Sequence, residues 1–310
     1  MNEKTINVNR LRSSRVFRKE LTPYLLLLPV VLMIVCFMLY PICSVFSMSL
    51  ENYKATRPNA RAFVGFANYV KIFTKDKMFI KTLSNTSKWV IVSVLFQTVL
   101  GFWLAYLLNK RFKGRGIIRA FALVPWAVAG VMVGIIWKLI LGETFGVFND
   151  ILKRLNIISV NMSWFSTPGK AMFAAILSNV WRGIPFFTIS YLSALSSIPD
   201  DLYESVTIDG AGPIRMLFSI TIPMIKDTII LTTLLRAIWT FNAVDLIISL
   251  TDGGPNRGTT TLALYIMNKF SGEFDYGYAS TLAVIATTMM MLLAFVYITL
   301  GKLGKDGVNG

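Results

Sequence analysis

Six stretches of this chain, 24–47, 87–109, 120–141, 171–195, 223–250 and 279–300, are long and apolar with few charges. A bilayer's hydrocarbon core takes roughly 20 consecutive apolar residues per spanning helix, so each stretch predicts one crossing. A backbone in lipid must satisfy its own hydrogen bonds, which leaves a helical bundle as the expected form. The 55% hydrophobic composition and a mean hydropathy of +0.60 agree with lipid as the main solvent.

The formal charge of +15, from 31 Lys and Arg against 16 Asp and Glu, would in a soluble chain raise nucleic-acid binding. Its placement argues against that. Arg10, Arg12, Arg15, Arg18 and Lys19 precede the first apolar run, and Lys110, Arg111, Lys113, Arg115 and Arg119 crowd one connection. No aromatics interleave with a basic groove, so nucleic acid is not an expected partner, whereas membrane lipid is. The positive-inside rule then places both termini in the cytosol. By the same alternation 51–86, 142–170 and 251–278 lie outside and 196–222 inside, although Lys71, Lys75, Lys77 and Lys81 load one outer loop.

Cys36 and Cys43 lie on one face of the first run and are read as small apolar fillers. The basic N-terminal stretch lacks a small-residue cleavage site after it, so an uncleaved first helix is expected. Pro29, Pro41, Pro125, Pro185 and Pro223 fall in or beside the spans, where neighbouring helices or cavity water must compensate each missing donor. Gly130 and Gly134 form a pair of small residues that admits a close neighbour, most simply as plain packing.

The connection 197–222 is too polar and interrupted to span. Pro199 suits a first helical position, with Asp200 and Asp201 in the first turn where the dipole favours anions. Gly210 and Gly212 permit a turn and Pro213 starts a second helix. Arg182, Arg236 and Asp245 fall inside predicted spans, where each charge costs about 2.5–3.5 kcal/mol, so they should face the bundle interior. Gly183 and Pro185 would interrupt the fourth span near its middle. Phe186, Trp239 and Phe241 offer flat apolar faces, with Thr240 and Asn242 supplying hydrogen bonds, a mix that suits a solute both polar and flat-faced. An ion-pair network of Arg182, Arg236 and Asp245 without solute contact is the equal alternative.

The glycines of 253–260 resemble a phosphate loop, but Thr259 stands where the lysine is required. The chain has no His, which excludes Ser-His-Asp and Cys-His catalysis and His-based zinc sites. Neither enzyme activity nor a metal site is expected.

Glu204, Gly210, Ile220, Ile222 and Pro223 fall at the spacing of the Glu-Ala-Ala signature, and here the chain resembles the permeases of binding-protein-dependent ABC importers. Further matching segments are Phe63-Val-Gly-Phe-Ala-Asn-Tyr-Val, Trp181-Arg-Gly-Ile-Pro185, Asp200-Asp-Leu-Tyr-Glu204, Asp209-Gly-Ala211, Arg236-Ala-Ile-Trp-Thr-Phe-Asn242 and Thr251-Asp-Gly-Gly-Pro255. They are similar to the carbohydrate branch, the larger membrane subunits for maltose-type sugars and glycerol phosphate.

The resemblance implies an all-α integral membrane fold, a six-helix type I ABC importer transmembrane domain with a cytosolic coupling helix. It divides the chain into a cytosolic basic segment 1–22, a permease domain 23–301 with coupling loop 197–222, and a cytosolic tail 302–310. It also implies a place in a bacterial cytoplasmic (inner) membrane, a second homologous permease subunit, two ATPase subunits that hold ATP and Mg, and an external solute-binding protein. No cofactor is expected on this chain itself.

ATPase coupling is carried over to Asp201, Glu204, Ser205, Val206, Asp209, Gly210, Ala211 and Gly212, with Glu204 facing a basic group. Ser205 and Val206 replace the usual alanines, which implies a locally adapted partner. Solute contact is carried over to Gly183, Phe186, Arg236, Trp239, Thr240 and Ala243, with Asn242 added from its chemistry. Thr240 and Ala243 stand where the maltose-type subunit has larger amides and Arg236 where it has a small hydroxyl, so the specificity should differ. The expected solute is a sugar or oligosaccharide. The alternatives are an acidic or phosphorylated sugar, such as a uronate oligosaccharide or glycerol phosphate, and, from another class, an ion-coupled secondary transporter.

Overall fold

The computed structural model of the chain describes residues 23–24, 26–110, 112–208 and 210–303. The basic stretch 1–22, Arg111, Asp209 and the tail from 304 lie outside the described residues. Among those described, four helices are each long and apolar enough to cross a membrane, and two sharply bent pairs raise the number to six if each is one span.

The first is α1 (Leu26–Ser49). Pro41 has no amide to donate, and the turn just before it, Val35–Leu39, widens to a π-helical turn in which the Tyr40 amide reaches Val35 O. The same device recurs before Pro223, where Leu217–Thr221 is π-helical and the Ile222 amide reaches Leu217 O. A short antiparallel pair follows α1, β1 (Glu51–Asn52) with β2 (Ala62–Phe63), in the register Glu51↔Phe63. Helix α2 (Ala67–Lys75) leads to Asp76, which caps α3 (Lys77–Asn109) by accepting from the Met78 and Phe79 amides at 2.9 and 3.1 Å.

The 33 residues of α3 make it about 50 Å long, against a hydrocarbon thickness of roughly 30 Å, so it projects well beyond the lipid. The projection is the polar stretch 77–86, which precedes the apolar run expected from 87.

The run 120–141 is not one helix. It divides into α4 (Arg115–Ala127) and α5 (Gly130–Ile140), which meet at 99°. Pro125 removes a donor from the last turns of α4, and Val128 and Ala129 are extended. Gly130 and Gly134 then face α11 (below), where a side chain on Gly130 would strike Asp245 and Arg182 and one on Gly134 would strike Ser249. The pair thus serves packing within this chain.

After α6 (Val147–Arg154), the long α7 (Pro168–Ser196) pairs with α3 along its length. Gly101 of α3 lies against Phe187 and the Ile184 carbonyl of α7. Next come α8 (Asp200–Ile208) and α9 (Pro213–Met224), which bends by 65° into α10 (Lys226–Asn242). The run 223–250 is therefore also divided: α10 ends at Asn242, Ala243 turns out of helical geometry, and α11 (Asp245–Thr251) is separate. Helices α12 (Leu262–Met267) and α13 (Tyr276–Leu303) complete the order.

Among the described residues four buried clusters hold the bundle, and three of them lie along α3 and α7. Ile72, Phe79, Leu262, Tyr278 and Leu282 lie toward the Lys77 end of α3. Trp89, Val133, Leu246, Ile247 and Leu250 join α3, α5 and α11. Phe187, Tyr191, Leu195, Ile198 and Ile225 lie toward the opposite end, below α8.

Candidate functional site

Where α10 stops and α11 begins, a cavity of about 280 Å3 opens between α4, α7 and α10, bordered by Trp126, Asn179, Arg182, Arg236, Trp239, Thr240, Ala243 and Asp245. Arg236 is buried. Its Nε donates to Gln97 Oε1 at 2.8 Å and its Nη2 to Asn179 Oδ1 at 3.2 Å. Gln97, wholly buried on α3, in turn donates through Nε2 to the Asn179 carbonyl at 2.7 Å. A buried charge needs such bonds, and here neutral amides provide them.

The three ionisable residues do not form one network. Arg182 Nη1 lies 3.7 Å from Asp245 Oδ2, whereas Arg236 bonds the amides. Two buried atoms beside the cavity, Thr240 Oγ1 and Asn179 Nδ2, have no hydrogen-bond partner among the described residues. The polar character of the cavity comes instead from Asn179, Arg182, Arg236 and Asp245 on its border. The Thr240 backbone is fixed independently, since Trp89 Nε1 donates to its carbonyl at 2.8 Å.

Of the residues expected at a solute site, Arg236, Trp239, Thr240 and Ala243 border the cavity. Phe186 is one ring away, its centroid 5.1 Å from that of Trp239, which is half exposed. Gly183 acts from behind: an added Cβ would lie 2.6 Å from Gln97 Oε1, so its lack of a side chain admits the amide that holds Arg236. Asn242 does not join them. Its Nδ2 bonds the Ile238 carbonyl at 2.9 Å and turns toward Met290 of α13, because α10 presents residues 239, 240 and 243 to the cavity and 242 to the other side. Gln97, Asn179 and Trp126 were not expected. The first two are uncharged polar residues inside apolar runs, a signal that attention to ionisable groups alone passes over.

At the far end α8 stands clear of the bundle. Asp201, Glu204, Ser205, Gly210 and Gly212 are exposed, Val206 is half-buried, and Ala211 is buried. The turn closes through Ala211 N to Val206 O at 3.1 Å with Gly210 at φ +79°, a conformation that suits glycine. The expected helix, break and helix are present, with α8 beginning at Asp200 just after Pro199. Ile208 and Ile214, 86% and 75% exposed, flank the turn as bare apolar groups. Tyr203 faces inward instead, its hydroxyl 3.3 Å from Thr221 Oγ1.

Comparison with known proteins fits this architecture. The family model for the binding-protein-dependent transport system inner membrane component matches residues 97–303. The chain is 35% identical over 298 residues to the trehalose/maltose transport system permease protein of Thermococcus litoralis, covering 96% of this chain and 99% of that protein. It is 33% identical over 279 residues to the sulfoquinovosyl glycerol transport system permease protein of Agrobacterium fabrum, covering 90% of each. Among solved structures, a chain of a bacterial ABC transporter involved in import of the acidic polysaccharide alginate superposes with a TM-score of 0.80, covering 94% of this chain and 98% of that one. At 23% identity that likeness is one of fold. The family match spans the last turns of α3 from Gln97, all of α7, the α8 segment and the cavity residues alike, and the chain belongs to the family of binding-protein-dependent transport system inner membrane components.

Proposed function

We infer that this chain is the permease subunit of an ATP-driven importer and that a sugar or oligosaccharide passes through the cavity at Arg236. The observation that carries the reading is a cavity bordered both by polar side chains, Asn179, Arg182, Arg236 and Asp245, and by the Trp126 and Trp239 rings. Sugars present hydroxyls for the first and C–H faces for the second. The relatives named for trehalose/maltose and for sulfoquinovosyl glycerol support a carbohydrate.

A second reading concerns charge. Arg236 is held by neutral amides and not by Asp245, which leaves its charge for an acidic group on the solute, as in a uronate or sulfonate sugar.

The remaining parts of the machine are proposed with it. A second homologous permease completes the pathway, two ATPase subunits carry ATP and Mg, and a binding protein delivers solute from outside. The 201–212 segment meets the ATPase through Glu204 and the turn around Gly210. Both termini lie in the cytosol, the side toward which the basic clusters point.

Uptake of labelled sugars into proteoliposomes holding the whole complex tests the reading. ATP-dependent uptake that survives collapse of ion gradients, and that falls with Thr240→Val while the complex still assembles, is expected. Uptake driven by an ion gradient without ATP would overturn it in favour of a secondary transporter.

A further inference from the structure

A second and larger hollow, about 510 Å3, runs between α3 and α7 and shares no lining residue with the Arg236 cavity. On α3 its wall is a single stripe at helical spacing: Lys81, Asn85, Lys88, Val92, Phe96 and Leu100. Polarity changes once along that stripe, after Lys88. This residue stands at the start of the apolar run 87–109, so the change falls where α3 leaves the hydrocarbon. From Lys88 to Leu100 the helix rises about 18 Å, comparable with the roughly 15 Å depth of one leaflet. Phe173, Ile176 and Val180 of α7 form the facing apolar wall. Phe96 and Phe173 are each about half exposed, so the groove opens sideways toward lipid.

The polar end is cationic. Lys81 and Lys88 are two helical turns apart on one face, about 10 Å along the axis. Lys81 Nζ donates to the Asn256 carbonyl at 2.7 Å, which leaves two of its three hydrogens. The Asn85 amide is engaged with the Arg257 and Thr260 carbonyls at 3.2 and 3.0 Å, so it shapes the end without being open to a ligand.

We propose that this groove holds one phospholipid with an anionic headgroup, its phosphate between Lys81 and Lys88 and an acyl chain along Val92, Phe96 and Leu100. The order of cationic then apolar surface matches that molecule along its length. An apolar helix from another subunit in the same place would lay its flank against both ammonium groups at the membrane boundary and leave them unmatched. The phospholipid brings its anion to that depth.

Native mass spectrometry of the full chain in mild detergent, titrated with phosphatidylglycerol or with phosphatidylcholine, tests the proposal. Phosphatidylglycerol is expected to be retained at least about tenfold more tightly, and the double variant Lys81→Gln with Lys88→Gln to bring it down to the phosphatidylcholine level. Equal retention of the two lipids, or unchanged preference in the double variant, overturns it. Both lysines are exposed, so the variant keeps the fold. A photo-reactive phenylalanine analogue at position 96 in whole membranes gives the second readout: a phospholipid adduct is expected, and an adduct with another polypeptide alone overturns the proposal.

Discussion

Arg236 Nε lies 2.8 Å from Gln97 Oε1, so the buried cation of α10 is oriented by a neutral amide on α3. A guanidinium offers a planar fork that can bond Gln97 and Asn179 together, whereas an ammonium is a point charge on a flexible stem. Arg236→Lys is therefore expected to keep the charge and lose the geometry, lowering uptake about tenfold or more with normal assembly. Gln97→Glu supplies the missing counter-ion: transport of an acidic solute should fall far more than transport of a neutral one. Competition uptake assays with both kinds of sugar measure the difference.

Glycine substitutions separate packing from solute contact. Gly183→Ala pushes on the Gln97 amide and is expected to lower uptake by about tenfold, with rescue by the smaller Gln97→Ser if the amide is what is displaced. Gly130→Ala acts differently, because its Cβ would lie 2.6 Å from Arg182 Nη1 and would also strike Asp245. Overpacking of this kind costs about 1–3 kcal/mol, so the yield of folded protein and its thermal midpoint should both drop.

Asp76 joins the start of α3 to α12 and α13. Burial would raise its carboxyl, but bonds from the Tyr278 and Tyr265 hydroxyls, at 2.6 and 2.8 Å, and from the Phe79 and Met78 amides hold it below the usual aspartate value. The folded chain thus binds this proton less tightly than the unfolded chain. Its stabilisation is complete above the unfolded value, about pH 4, and is lost as pH falls through the lowered folded value. Thermal unfolding in detergent should show a drop in midpoint below about pH 4 that is smaller in Asp76→Asn. That variant should itself be less stable at pH 7 by about 1–3 kcal/mol.

Ile208 and Ile214 stand bare on either side of the Gly210 turn. Ile208→Asp is expected to leave the bundle folded and to abolish co-purification with the ATPase, as should removal of 201–212. Glu204→Lys should weaken the same association by at least about tenfold, by placing like charges together. Pull-down of the tagged ATPase reads all three, and normal recovery with normal uptake would overturn the role given to this segment.

The apolar runs made the presence of several membrane-long helices readable, since length and polarity alone decide whether a segment can lie in lipid. The turn at 210–213 was readable for a different reason, because Gly210 permits a positive φ and Pro213 fixes its own. The breaks at Val128–Ala129 and at Ala243–Val244 were not. Both lie inside unbroken apolar stretches, and hydropathy is blind to direction. Packing settles the direction each takes: beyond the turns that Pro125 weakens, α5 brings Gly130 to Asp245, and α11 turns back onto Gly134. Arg236, Trp239, Thr240 and Ala243 were legible as cavity residues through the family pattern, while Asn242 was misplaced by judging its chemistry without the helical phase. Gln97 and Asn179 belong to other helices, and only the fold brings them to Arg236.

Tyr203 is half-buried against the cluster of Leu195, Ile198 and Ile225, and that contact has a mechanical meaning. Through it α8, which otherwise stands clear of the bundle, touches the base of α7 and the junction of α9 with α10. A displacement applied at α8 would be felt at both of those cavity helices by this route. At Ala243–Val244 the cavity wall changes direction while staying tied to both sides, since the Ala243 amide bonds the Thr240 carbonyl at 3.2 Å and the Val244 carbonyl accepts from the Ile248 amide at 3.0 Å.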